Sequence, residues 1–305
     1  MKTVFITGSS GFVGGYLRKE FENQGYKVVG TDLRSGNAEY LMDVTKYDDV
    51  VKVLGEVRPD YVIHLAGFAS VKASFNSPEL CMNINVGGTK NVLDALMQHE
   101  LFQTRVLIIS SSDVYDDQAD QKLTETSPIK VKSPYGQSRI DQENLVKTYT
   151  KLDWIISRSF PHIGPGQPKG FVTADFASQI ADIEKGIITD EVIKVGNLGG
   201  VRDFTDVRDT VKAYRLLLEK GKSHEIYNVC SSKELRIAEI LNILLKLSQH
   251  KFNVQIDEDK LRPFDVQFCV GSNSKLVQDT GWTMEYNITQ TLNDIYQYWF
   301  NASTN

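Results

Sequence analysis

Three glycines, at positions 8, 11 and 14, sit between a β-branched run and a segment of helical period in this 305-residue chain. Gly8 permits a tight turn, Gly11 lets backbone approach a pyrophosphate with no Cβ in the way, and Gly14 lets the helix pack closely on the strand. The helix N-terminus, beginning with Ser10, Phe12 and Val13, then turns its free N–H groups toward phosphate oxygens. The spacing is G-x-x-G-x-x-G rather than G-x-G-x-x-G. A glycine trio by itself is a weak signal, and its weight comes from standing directly between strand and helix. The second apolar run ends at Asp32, 24 residues after Gly8. A carboxylate there can accept from both hydroxyls of an adenosine ribose and repels a 2′-phosphate, which favours NAD. Leu33 follows, and then Arg34, which could turn to meet a 2′-phosphate and so leaves NADP open. The competing reading of Asp32 is a turn residue before Arg34-Ser35-Gly36. Asp43 and Val44 are candidates for the adenine edge. Leu65, Ala66 and Gly67 close another strand with side chains small enough to leave room for a cofactor, while His64 reads as a core histidine.

Such residues need a sheet to position them. Val4–Thr7, Lys27–Thr31, Tyr61–Leu65, Val106–Ser110 and Trp154–Arg158 read as strands. Helical patterns near 12–24, 46–57, 78–98 and 134–150 lie between them. This alternation predicts an α/β Rossmann fold, a doubly wound parallel sheet, with a smaller C-terminal α/β domain for substrate. The proline-rich run 161–168 admits neither a helix nor a central strand. It suggests domains at 1–164 and 165–305, with the segment near 203–222 packing back on the first. Further helices are expected near 171–186, 206–220, 236–249, 272–280 and 289–301, and strands near 192–195 and 225–229. A hydrophobic share of 41% with 24% charged residues is that of a packed globular protein rather than a disordered one. The net charge of -5, with no long Lys/Arg run, argues against nucleic-acid and membrane partners. No apolar stretch approaches the ~20 residues of a membrane span, and no leader precedes the first strand, so a cytoplasmic location is expected. Cys81, Cys230 and Cys269 lack metal-ligand spacing and read as buried thiols; no metal site is expected.

The fourth strand runs into Ser110-Ser111-Ser112-Asp113-Val114-Tyr115, and a helix opens at Ser133-Pro134-Tyr135-Gly136-Gln137-Ser138-Arg139. Here the chain resembles the extended short-chain dehydrogenase/reductases, in which a Ser or Thr before a Val-Tyr pair works with Tyr-x-x-x-Lys. The resemblance places Ser111 in the hydroxyl position and Tyr135 in the tyrosine position, 24 residues apart. A phenol and a cation four residues apart share a helix face. The cation lowers the phenol's pKa, so that it can trade a proton with a hydroxyl or carbonyl. The family's lysine is Arg139 here. A guanidinium keeps the charge and can reach a nicotinamide ribose, but it does not relay protons. Asp113 is the nearest acid, and the resemblance adds His162 to the cofactor site.

In the C-terminal half, His162-Ile163-Gly164-Pro165-Gly166-Gln167, Phe171-Val172-Thr173, Val195-Gly196-Asn197-Leu198, Val201–Asp209 and Arg262-Pro263-Phe264-Asp265-Val266 resemble the GDP-6-deoxy-D-mannose reductase branch and its sister GDP-mannose 4,6-dehydratases. That branch commonly carries Asn where this chain has Pro161. The resemblance implies GDP-sugar binding and hydride delivery to a C4 ketone. Arg202 and Arg262 are the cations suited to a diphosphate. Phe171, Val172, Thr173 and Lys194 are further nucleotide contacts, and Asp265 an acceptor for its ribose. A structural ion pair with Asp203, Asp206 or Asp209 is the alternative for the arginines. The rival activities are a 4,6-dehydratase, which needs an acid/base beyond the tyrosine, a 4-epimerase, and a cofactor-binding sensor or scaffold without turnover. A homodimer through the helices near 78–98 and 134–150 is the family's habit.

Overall fold

The computed structural model describes residues 1–118, 121–261 and 266–302. Its first half alternates β1 (Thr3–Thr7), α1 (Phe12–Asn23), β2 (Lys27–Asp32), β3 (Tyr40–Leu41), α2 (Tyr47–Val57), β4 (Tyr61–His64), α3 (Val71–Asn76), α4 (Pro78–Met82), α5 (Gly88–Gln98), β5 (Arg105–Ser111), α6 (Pro134–Lys147) and β6 (Asp153–Ser159). A π-helical turn, Asn83–Gly87, joins α4 to α5, and a 3₁₀ turn, Ser112–Val114, follows β5. The second half holds β7 (His162–Ile163), α7 (Val172–Glu184), β8 (Val192–Val195), β9 (Val201–Arg202), β10 (Thr205–Asp206), α8 (Val207–Lys220), β11 (Glu225–Val229), β12 (Leu235–Arg236), α9 (Ile237–Leu247), β13 (Asn253–Ile256), β14 (Phe268–Cys269), α10 (Ser274–Thr280) and α11 (Ile288–Asn301).

One parallel sheet of seven strands, ordered β11-β6-β5-β4-β1-β2-β3, is the frame of the molecule. Its central strand β4, Tyr-Val-Ile-His, is buried along its whole length, as befits a strand covered on both faces. One apolar layer joins Leu17 and Phe21 of α1 to Val211, Tyr214 and Leu217 of α8 across Val4 and Ile6. The other joins Val50 and Leu54 of α2 to Val92 and Leu96 of α5 across Phe5 and Val62. Strand order reverses between β1 and β4, and a crevice outside the carboxyl ends of the strands forms at such a switch point. A separate core, including Phe176, Ile180, Ile193, Ile240, Leu244 and Ile295, unites α7, α9, α11 and β8.

The alternation read from sequence is the alternation found. The predicted helix 78–98 is broken, however: Pro78 starts α4, and the π turn slips the helical phase before α5. The segment expected to return to the first domain is that near 203–222. Helix α8 packs on α1, and β11 pairs in parallel with β6, with Tyr227 opposite Ser157, so 207–229 belong to the first body. Cys81 and Cys230 are buried and Cys269 is half-buried. Among the described residues no helix is long and apolar enough to cross a membrane.

Candidate active site

The glycine turn lies at the switch point. Gly8 has φ +73°, in the left-handed region, and a Cβ there would come within 2.9 Å of the Ala66 nitrogen beyond β4. A Cβ on Gly14 would stand 2.4 Å from the Ser9 carbonyl, so glycine lets α1 close on the turn. Gly11 is the N-cap of α1 and no side chain caps the helix, which leaves the N-terminal turn of Phe12 and Val13 suited to an anion. The Ser10 N–H donates to Asp32 Oδ2 (3.0 Å) and the Leu33 N–H to Oδ1 (2.8 Å), so the carboxylate is held toward the turn with acceptor capacity to spare. Arg34 stands exposed beyond it. Asp43 spends Oδ1 on the N–H and hydroxyl of Thr45, and Val44 is buried beneath Gly88.

Across the crevice, Leu65 and Ala66 both donate backbone N–H groups to Thr7 Oγ1. The Thr7 hydroxyl can then give its proton to His64 Nδ1, 2.9 Å away. Burial, with a smaller push from the Arg139 charge, depresses this imidazole to about 3, so His64 is a neutral core histidine. His162, on β7, donates its Nδ1–H to the Phe160 carbonyl (3.2 Å), and burial likewise lowers its pKa. Gly164 brings its chain against the Phe12 ring.

The catalytic candidates meet where β5 ends. Ser111 Oγ donates to Asp113 Oδ2 and accepts from the Asp113 N–H, both at 3.2 Å. Helix α6 starts beside this turn: Pro134 occupies its first position and Ser133 Oγ accepts from the Gly136 N–H at 2.9 Å. A Cβ on Gly136 would lie 3.1 Å from the Asp113 carbonyl. Tyr135 is anchored by its N–H to Ser74 Oγ (3.2 Å), and one turn later the Arg139 guanidinium lies 5.1 Å from the Tyr135 ring centroid. Arg139 is only 7% exposed. Its Nη1 donates to the Ile109 carbonyl (3.1 Å) and Gln142 Oε1 (2.9 Å), and Nη2 to the Phe68 carbonyl (3.4 Å). Sequence reasoning passed over Gln142, although its place one turn from Arg139 on the same helix was a readable signal.

The expected substrate residues are more dispersed. Phe171 is exposed at the start of α7, followed by Val172, whereas Thr173 is fully buried and donates to Gln167 Oε1, supporting the segment from beneath. Lys194, exposed on β8, borders a cavity of about 200 Å³ with Gln255, Ile256, Asp257 and Glu258. Arg202 Nη1 donates to the Val201 carbonyl. The acids weighed as its partners are used elsewhere: Asp203 accepts from Ser231, Ser232 and Gly271, Asp206 pairs with Arg208, and Asp209 accepts from Glu285 and Tyr286. Arg262 and Asp265 lie outside the described residues.

Comparison with known proteins finds relatives along nearly the whole chain. The profile of the family described as GDP-mannose 4,6 dehydratase matches residues 5–295. The chain is 35% identical to a GDP-6-deoxy-D-mannose reductase of Pseudomonas aeruginosa, covering 97% of this chain and 96% of that one. It is 29% identical to a GDP-6-deoxy-D-talose 4-dehydrogenase of Aggregatibacter actinomycetemcomitans, over 91% of each. The structure of RMD from Pseudomonas aeruginosa complexed with NADPH superposes with a TM-score of 0.89 at 32% identity, covering 98% of this chain and 99% of that one. A Thermus thermophilus UDP-glucose 4-epimerase in complex with NAD superposes at 0.87 with 25% identity, covering 99% and 100%.

Proposed function

The chain belongs to the GDP-mannose 4,6-dehydratase family, and on that footing we propose that it reduces the C4 ketone of a GDP-4-keto-6-deoxyhexose to a GDP-6-deoxyhexose such as GDP-D-rhamnose. The observation that favours reduction over dehydration is Asp113. Elimination of water needs a second acid/base free to reach the sugar, and the Asp113 carboxylate is turned back onto the Ser111 hydroxyl.

The residues present suit an NAD(P) cofactor. Gly8, Ser10, Gly11, Phe12, Val13 and Gly14 would hold the pyrophosphate, Asp32 the adenosine ribose, and Leu65, Ala66, Gly67 and His162 the nicotinamide end. When bound, the reduced nicotinamide supplies the hydride. Tyr135 gives its phenolic proton to O4 as C4 is reduced, which leaves an alcohol on the sugar and a phenolate on the enzyme. Arg139 carries a fixed positive charge beside that phenolate, and the Ser111 hydroxyl orients O4. Arg202, with Arg262 and Asp265 as further expectations from sequence, would meet the GDP moiety. A cytoplasmic homodimer, paired through α4–α5 and α6 where Leu80 stands exposed, belongs to the same reading.

Incubation with GDP-4-keto-6-deoxy-mannose and NADH or NADPH tests it: one nicotinamide is oxidised per sugar, and NMR identifies a GDP-6-deoxyhexose. Loss of water from GDP-mannose without net oxidation identifies a dehydratase instead, and C4 epimerisation an epimerase. Binding without turnover on any keto-sugar identifies a sensor.

Cofactor choice has its own test. The negative charge of Asp32 stands where a 2′-phosphate would lie, so NADH should bind at least as tightly as NADPH, and Asp32→Ala should shift the preference toward NADPH. Fluorescence titration with both dinucleotides measures this. A wild-type preference of about tenfold or more for NADPH, roughly 1.4 kcal/mol, would assign control to Arg34 instead.

A further inference from the structure

Arg139 sits in a setting that its own residue type does not explain. A buried guanidinium ordinarily takes a carboxylate, and Arg158 in the same domain does so with Glu143 (2.7 Å). The partners of Arg139 are two backbone carbonyls and the Gln142 amide, all neutral, and its buried Nε makes no hydrogen bond. Gln142 is itself fully buried. Its Nε2 donates to Thr89 Oγ1 at 2.7 Å, and the Thr89 hydroxyl donates to the Asn85 carbonyl at 2.6 Å. Thr89 has given away its one proton, so it can only accept from the amide. The oxygen end of Gln142 must therefore face Arg139. Space is made from the other side, because a Cβ on Gly67 would stand 2.9 Å from Arg139 Nη2. Asn85, in the π turn, fixes the same wall through the Phe68 N–H (2.7 Å) and Ser138 Oγ (2.9 Å).

We propose that Gln142 is a positioning residue for the reaction: oriented by Thr89, it holds the Arg139 guanidinium beside Tyr135 while leaving its charge uncompensated. This rests on the reductase reading for the role of Tyr135. The other titratable groups facing this spot are the neutral His64 from β4, Tyr214 from α8, Asp113 from the 3₁₀ turn and Cys81 from α4. Charged groups on the remaining helices against α6 are engaged elsewhere or face solvent: Lys72 with the Asp259 carbonyl, Lys90 with Asp94, and exposed Glu79.

Gln142→Glu keeps size and hydrogen-bond reach but sets a negative charge against Arg139. Expected is a fall in kcat of about 10- to 100-fold, with KM and cofactor affinity nearly unchanged. The pH at which phenolate absorbance attributable to Tyr135 appears should rise by about one unit, read against a Tyr135→Phe background. Thr89→Val, which frees the amide to flip, should move both readouts the same way by less, and it serves if the glutamate variant does not fold. An unmoved phenolate titration in the folded variants overturns the proposal, whatever the rate. Because that titration needs no sugar, wild-type protein inactive on keto-sugars would sink the reductase reading alone.

Discussion

Tyr135→Phe should leave a folded protein that binds its dinucleotide normally and turns over about 10²–10⁴-fold more slowly, the range that general acid catalysis contributes. The substitution removes one oxygen and nothing that holds the fold, because the residue's anchoring bond to Ser74 is made by backbone N–H. The adjacent groups do not substitute for the phenol. Arg139 stays charged and gives up no proton, and the Ser111 hydroxyl, a far weaker acid than a phenol, orients O4 without protonating it. The loss should therefore fall on kcat with little change in KM, the pattern of an interaction made only in the transition state. Steady-state kinetics with saturating cofactor, beside a fluorescence titration of binding, give the answer. A variant retaining most of its rate would remove Tyr135 from the chemistry and the proposed mechanism with it.

The largest expected effect on stability lies beneath the site. Arg158 of β6 and Glu143 of α6 are each about 2% exposed at the side chain and make two parallel bonds, Nε to Oε1 at 2.9 Å and Nη2 to Oε2 at 2.7 Å. Ser110 adds a third donor to Glu143 at 2.7 Å, Arg158 Nη1 reaches the Glu125 carbonyl at 3.0 Å, and the guanidinium lies 4.8 Å from the Tyr115 ring centroid. Glu143→Ala leaves that guanidinium buried without a counter-charge, at a cost of about 3–5 kcal/mol. Against a total stability of about 5–15 kcal/mol, this should lower the thermal midpoint by roughly 10 °C, measured by circular dichroism. Replacing both partners by apolar residues of similar volume, Glu143→Leu with Arg158→Met, should recover much of the loss, because no charge is then stranded. By contrast, Lys169→Ala, which breaks an exposed pair with Asp182, should change stability by about 1 kcal/mol at most. Equal effects from Glu143→Ala and Lys169→Ala would contradict the account.

What the sequence made legible follows from which forces act locally. The early strands announce themselves because each is a continuous β-branched run buried on both faces, as in Tyr61–His64. Gly8, Asp32, Ser111, Tyr135 and Arg139 could be singled out as candidates because the proposed phosphate turn and catalytic helix face would impose fixed spacings. The two-residue strands β3, β7, β9, β10, β12 and β14 were not legible, since two residues carry no period. Nor was the π turn at Asn83–Gly87, since the glycine that ends it does not by itself announce a change of phase. Around the Arg139–Gln142 pair, which one helix supplies, the setting depends on Thr89, Ile109 and Phe68, which only tertiary packing brings there. Likewise, nothing in Glu225–Val229 says that its partner is β6 rather than a nearer strand.

That late edge strand affects how the chain is made. Until residues 207–229 leave the ribosome, β6 presents an open row of backbone donors and acceptors, and the apolar face over Val4, Ile6 and Leu17 lacks its cover from α8. At about 5–20 residues per second, the interval from β6 to β11 lasts several seconds. During it the nascent sheet is both sticky and incomplete, open to edge-to-edge pairing with other copies. Protein released before β11 is made should be a substrate for chaperones and proteases rather than a dinucleotide-binding fragment.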